Sequence, residues 1–151
     1  MEAIIKYVNI KNNKTGNSES RAAEQIDINT YKLLETPVCN CKLNYGTIIK
    51  VVENESGELC MSKIAKASNY LTKQFILDRS LHNNEFQDKI GQPIINTGGY
   101  WEIVFGGIAF IHIPKDINFD IIELFKKIIM TQQKLLKIQP HHNRNKMVLE
   151  C

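Results

Sequence analysis

A chain of 151 residues with a formal charge of only +3 is sized for one compact domain, or for two small subdomains sharing a core, and that charge alone does not call for nucleic acid. Its 43% hydrophobic content excludes a disordered chain. No apolar run approaches the ~20 residues that cross a bilayer, and the opening MEAIIKYVNIKNN has no signal-peptide core, so a cytoplasmic protein without membrane contact is expected.

Residues 3–10, AIIKYVNI, read as a strand, and the polar stretch 11–20 as a loop or wide turn. Residues 22–28 and 30–35 read as short strands, the second ended by Pro37. Residues 38–45 form an irregular connection. Thr47–Glu53 is dense in β-branched residues and reads as a strand. Asn54–Gly57 makes a turn, and Glu58–Ala67 returns as its partner. Five or so short strands with no helical period predict a small bent sheet or partial barrel over residues 1–70.

The second half, 71–151, changes character. Leu71–Asp78 has no clean polar face, the pattern of a strand covered on both sides. Asn83–Gly91 fits a short helix stopped by Gly91 and Pro93. Tyr100–Phe105 and Ile108–Ile113 form an apolar hairpin, with Gly106-Gly107 as its two-residue turn and Trp101, Ile103 and Phe105 on one face. Asn118 or Asp120 can cap a helix in which Ile121, Leu124, Phe125, Ile128 and Ile129 share one side. Glu123 is placed as the capping-box partner of Asp120. Strand, helix, strand, strand, helix is most of a ferredoxin-like plait. The stretch 140–151 reads as a loose tail, in which Met147-Val148-Leu149 could add an edge strand. The fold class is therefore α+β: a β-rich part, then a plait-like part.

Chemistry-bearing residues are sparse. Cys39 and Cys41 are one residue apart, whereas zinc sites use spacers of two to four and a second pair. With Cys60 and Cys151 they are expected to be free thiols. His112 sits in an apolar strand, as a core or interface histidine does. A catalytic role would need a nucleophile and an orienting acid beside it, and nothing in the sequence places Ser62, Ser68, Ser80 or Cys60 there. Gly98-Gly99 and Gly106-Gly107 lead into strands, so they read as turns, not as a phosphate cradle. No cofactor, metal or catalytic site is expected.

Charge is clustered in three places. Lys126, Lys127, Lys134, Lys137, Arg144 and Lys146 occur with no acid among them. They suit a solvated helix end favoured by the helix dipole or a contact with phosphate backbone, Tyr100 and Phe110 being candidate base-stacking aromatics. Glu53, Glu55 and Glu58 crowd one hairpin tip. Asp78, Glu85 and Asp88 surround the short helix. Either acidic group is solvated surface or a face that docks on a basic partner.

Residues 31–53, YKLLETPVCNCKLNYGTIIKVVE, together with WEIVFGGIAFIHIPKDINFDIIELF, resemble the pattern of a bacterial family of unknown function over roughly residues 25–130. In that pattern an acid follows Tyr-Gly, where this chain has Gly46-Thr47. The general type is also similar to the immunity proteins of contact-dependent and other polymorphic toxin systems. That similarity implies a binding protein, not an enzyme, that neutralises a toxin such as a nuclease by masking its active site. Glu53, Glu55, Glu58, Asp78, Glu85 and Asp88 are then the expected partner-binding residues. The alternative is a nucleic-acid-binding module using the basic C-terminal helix and tail. A small enzyme built on His112 is a third class.

Overall fold

The computed structural model describes residues 2–136, the side chains of Ser80 and residues 131–136 excepted. The expectations for Lys137, Arg144, Lys146 and Cys151, for the tail 140–151 and for the strand at Met147–Leu149 lie outside those residues. Contacts divide the chain into two units, Met1–Tyr70 and Leu71–Cys151.

Five strands build the first unit: β1 (Ile5–Lys11), β2 (Ser18–Asp27), β3 (Thr30–Leu33), β4 (Ile48–Glu53) and β5 (Leu59–Lys66). Each runs antiparallel to the one before it. Five alternating strands leave the first and last pointing the same way. The sheet accordingly closes through a parallel bridge between Asn9 and Cys60, a full barrel where the sequence suggests a partial one. The two-residue side-chain period sends Val8, Ile10, Tyr31, Leu33, Ile49 and Val51 inward. Ala23 and Leu43 complete this core, Leu43 coming from the connection at 38–45. So small a barrel is filled by its own side chains.

The turns follow local chemistry. The β2–β3 turn puts Asn29 at φ 54°, a region that asparagine tolerates better than most side chains. At the β4–β5 turn the Asn54 side chain accepts from the N–H of Ser56 (3.0 Å) and Glu58 (2.9 Å). β2 starts earlier than expected because Asn12 closes the preceding loop: its Oδ1 accepts from the Lys14 N–H at 2.9 Å, and Ser18 then pairs with Lys11.

The second unit contains β6 (Tyr70–Ile76), α1 (Asn84–Asn96), β7 (Tyr100–Val104), β8 (Ile108–Pro114) and α2 (Ile121–Leu136). The sheet order is β6-β8-β7. β7 and β8 are antiparallel, and the Leu77 N–H donates to Gly107 O at 2.7 Å, joining the end of β6 to the start of β8. This is the split arrangement of a plait. Phe75, Phe86, Ile90, Ile94, Ile111, Ile113, Ile121, Phe125 and Ile128 form its core. Asn83 caps α1, accepting from the Phe86 N–H at 2.8 Å. Asp120 caps α2, accepting from the Glu123 N–H at 2.9 Å, while the Glu123 carboxylate pairs forward with Lys127 at 3.0 Å.

Three local expectations are corrected. First, α1 runs through Gly91 and Pro93 to Asn96. Buried Ile94 carries the apolar face past the proline, and Gly91 is there for space, since a Cβ would meet the Trp101 indole nitrogen at 2.7 Å. The helix stops at Thr97, with Gly98 next at φ 77° as a left-handed terminator. Second, the β7–β8 turn is on Phe105-Gly106, at φ 50° and 68°, with the Gly107 N–H donating to Val104 O. Phe105 therefore leaves the face of Trp101 and Ile103 and is 75% exposed. Third, β6 is not covered on both sides: Leu71 and Ile76 remain exposed.

Candidate functional site

The β4–β5 tip is held from within. The Asn54 N–H donates to Glu58 O at 2.9 Å, and Asn54 Nδ2 donates to the Glu58 carboxylate at 3.0 Å. Gly57, at φ 81°, completes the turn. The result is a fixed loop with Glu53, Glu55 and Glu58 exposed.

Beside the tip lies an open groove of about 550 Å³, lined by Lys6, Tyr7, Asn9, Ser20, Glu53, Gly57, Glu58 and Leu59. Its position follows from how the barrel closes. β1 and β5 meet in a registered pair, Asn9 with Cys60, and the groove draws Lys6, Tyr7 and Asn9 from β1 and Leu59 from β5. Tyr7 lines this groove and is 69% exposed. The groove thus combines an exposed aromatic ring, the aliphatic side chain of Leu59, the carboxylates of Glu53 and Glu58 and the ammonium of Lys6.

Asp78, Glu85 and Asp88 belong to the second unit. All three are exposed. Glu85 is engaged by Lys89, one helical turn on, at 2.6 Å, and that bond and charge hold its carboxyl below the usual carboxylate range. Lys126 is exposed on α2. Phe110 is buried, which removes it as a platform for bases, while Tyr100 is 40% exposed with its ring parallel to the His112 imidazole.

The sulfur chemistry is subdued. Cys39 and Cys60 are free thiols, while Cys41 is disulfide-bonded, which corrects the expectation for Cys41. The Cys39 N–H donates to Glu19 Oε1 at 2.8 Å. Burial, reinforced by the hydrogen bond and charge of Glu19, pushes the Cys39 thiol up to about 11. Only the thiolate is nucleophilic. Alkylation of Cys39 at pH 8.5 should therefore be roughly tenfold slower in the folded protein than in denaturant, once the greater nucleophilicity of a high-pKa thiolate is allowed for. Mass-resolved labelling would measure this; equal rates would contradict it. Among the described residues no three His, Cys, Asp or Glu side chains converge as a metal ion requires.

His112 has neighbours that sequence reading could not supply. Its Nδ1 is 2.9 Å from Thr72 Oγ1 on β6, and its Nε2 is 3.4 Å from Glu102 Oε1 on β7. The Tyr100 ring, paired with it across the strands, lies nearly parallel at 5.8 Å. Hydroxyl, imidazole and carboxylate are thus in line across all three strands. The imidazole is 0% exposed, so it presents no face to a substrate. The arrangement ties β6, β8 and β7 together through polar groups that burial obliges to pair. A period-two pattern puts Tyr100, Glu102 and His112 on one sheet face once β7 and β8 are paired; Thr72 needed the β6-β8 order, which no local signal carries.

The motif Tyr45-Gly46 also resolves into structure. The Gly46 N–H donates to Leu33 O at 2.8 Å, the Tyr45 N–H donates to Thr36 Oγ1, and Ser68 Oγ donates to Tyr45 O. Gly46, at φ 81°, would place a Cβ 3.2 Å from the Tyr70 ring.

Among the described residues no helix is long and apolar enough to cross a membrane. No family model and no curated protein sequence matches the chain. In three dimensions it is similar to a hypothetical protein from Neisseria gonorrhoeae, known from a crystal structure, with a TM-score of 0.53 at 15% identity over 87% of this chain and 90% of that one. The chain therefore shares its fold with an uncharacterised bacterial protein.

Proposed function

We propose that this protein is a cytoplasmic binding module of the immunity type, which captures a basic protein partner such as a nuclease toxin and covers its active site. The reading rests on the β4–β5 tip: three exposed carboxylates on a fixed loop beside a groove that displays Tyr7. Interface hot spots favour an aromatic anchor in a pocket with a charged rim. Complementary charge raises the rate of encounter and rejects wrong partners. The similarity of type to immunity proteins supports the same reading. In this account Glu55 and Glu58 steer, Glu53 and Tyr7 seat the partner in the groove, and Asp78, Glu85 and Asp88 are secondary because Glu85 is already paired within its helix.

The reading is tested by affinity capture from the native host at low salt, with wild-type protein and the variants E55K/E58K and Y7A immobilised in parallel. A basic protein retained by wild type and lost from both variants is the expected result. Identical captured sets on all three would contradict the proposal.

A further inference from the structure

The outer face of the barrel holds a second charged surface, opposite in sign to the tip. Tyr31 and Ile49 point into the core, so their alternates Lys32, Ile48 and Lys50 point outward. Across the β4–β5 ladder, Lys50 is directly opposite Lys63, and Ile48 is directly opposite Lys66. Directly opposed residues share a face. Lys32, Lys50, Lys63 and Lys66 therefore occupy one surface spanning three strands, about 10 Å across at ~4.8 Å per strand.

This gathering is not what an uninterrupted strand would produce. Lys63 and Lys66 are three residues apart, and on a regular strand they would face opposite ways. β5 shifts register twice against β4, once between the partners of Lys50 and Val51 and once between those of Ile48 and Ile49. The first extra residue, Ser62, turns Lys63 outward. The second, Ala65, brings Lys66 back to the same side. Ser62 Oγ also donates to Lys50 O at 3.1 Å, pinning the first bulge to the lysine that it serves. Bulges of this kind re-aim side chains and are usually functional features.

Like charges set directly opposite each other are unfavourable by themselves, and here the Lys50–Lys63 pair is kept. The closed barrel has no edge strand, but β5 continues past the end of β1 at Lys11, and lysines on that overhang can block strand addition. That explains Lys63 and Lys66 but not Lys50, which is on β4 between two paired neighbours. Among the described residues no carboxylate makes an ion pair with any of the four lysines. On its β2 side the face is bounded by two acids, Glu24 directly opposite Lys32 and Asp27 directly opposite Thr30, so the positive charge is concentrated on β4 and β5. β4 and β5 contribute none to this face between Ile48 and Val52. Lys50 Nζ donates to Thr30 Oγ1, which orients the central ammonium.

The geometry points to a phosphate-binding face: Lys32, Lys50, Lys63 and Lys66 hold the backbone of a single-stranded nucleic acid without reading its bases. The face carries no aromatic side chain, so base stacking contributes nothing and affinity is electrostatic. A small convex barrel touches few phosphates of a stiff duplex, whereas a flexible single strand can follow its curve. Three to four neutralised phosphates give a log–log salt slope of about −2 to −3 for a single strand. The site uses none of the tip residues, so it stands or falls separately from the protein-binding reading.

The test is fluorescence anisotropy of a labelled 15-nucleotide oligothymidylate between 50 and 200 mM salt, with the full chain. Wild type should bind with the stated slope. K63E/K66E should bind roughly tenfold or more weakly with unchanged thermal unfolding, while K126E on α2 binds like wild type. No binding by wild type, equal binding by K63E/K66E, or binding of a duplex or of polyglutamate as tight as that of the single strand would each overturn the assignment.

Discussion

Phe125→Ala is expected to destabilise the second unit by about 3–5 kcal/mol, the usual range for removing a buried phenylalanine. Phe125 projects from α2 into the centre of the helix–sheet core and is 5% exposed. Its ring stacks on Phe75 of β6 at 4.0 Å and meets the edge of Phe86 of α1 at 6.1 Å. Three elements thus converge on one side chain. A domain of this kind is stable by only about 5–15 kcal/mol, so the loss is a large fraction of the total. Trp101, the protein's one tryptophan, packs against the same core. Urea unfolding followed by its fluorescence would measure the effect. A shift worth less than about 1 kcal/mol would mean that α2 is not seated on the sheet as described.

Gly99→Ala is the second large expected effect, about 2–3 kcal/mol by the overpacking scale. A Cβ at this position would lie 2.4 Å from the carbonyl oxygen of His112 and 3.1 Å from Ile94 Cγ2. The oxygen belongs to backbone, so no rotamer change relieves the clash, and β7 must move off β8. Gly106→Ala is the informative comparison. It has open space around it but a φ of 68°, so its cost is the left-handed backbone alone, about 1–2 kcal/mol. Equilibrium unfolding should rank Gly99→Ala as the more damaging of the two. The reverse order would show that the helix terminus and strand start are not in the close contact described.

Much of this architecture is written locally in the chain. Alternation in TIIKVVE and in the hairpin strands, the caps Asn83 and Asp120, and the Asn54–Gly57 turn each act over a few residues, so a one-dimensional reading reaches them. What escapes such a reading depends on distant partners. Closure of the barrel rests on Asn9 meeting Cys60, and neither strand signals the other. Helix α1 outlasts its proline because of Ile94 and the space that Gly91 leaves for Trp101. The hairpin turn falls one residue early because strand register decides which residues bend, so Phe105 and Gly106 form it in place of Gly106 and Gly107. The carboxylates at 53, 55 and 58 form a cluster along the sequence itself, but the groove beside them, with Tyr7 from the start of the chain, appears only when β1 and β5 are side by side. Thr72, Glu102 and His112 come together in the same way, from three strands whose order is tertiary.

Charge on the first unit is divided between two surfaces. One barrel has an acidic, rigid tip with an aromatic neighbour, and a lysine face arranged by two bulges. Neither surface requires a moving part. Each is prepared by hydrogen bonds within the β4–β5 hairpin, which limits the conformational entropy lost on binding.

The proposed function requires electrostatically guided docking of the β4–β5 tip on a basic protein. The decisive measurement is the association rate constant with the captured partner, for wild type and E55K/E58K, as ionic strength is raised. A fast wild-type rate that falls steeply with salt, and a slow variant rate that is nearly flat, are expected. Equal rates at low salt, with the same salt dependence, would contradict it.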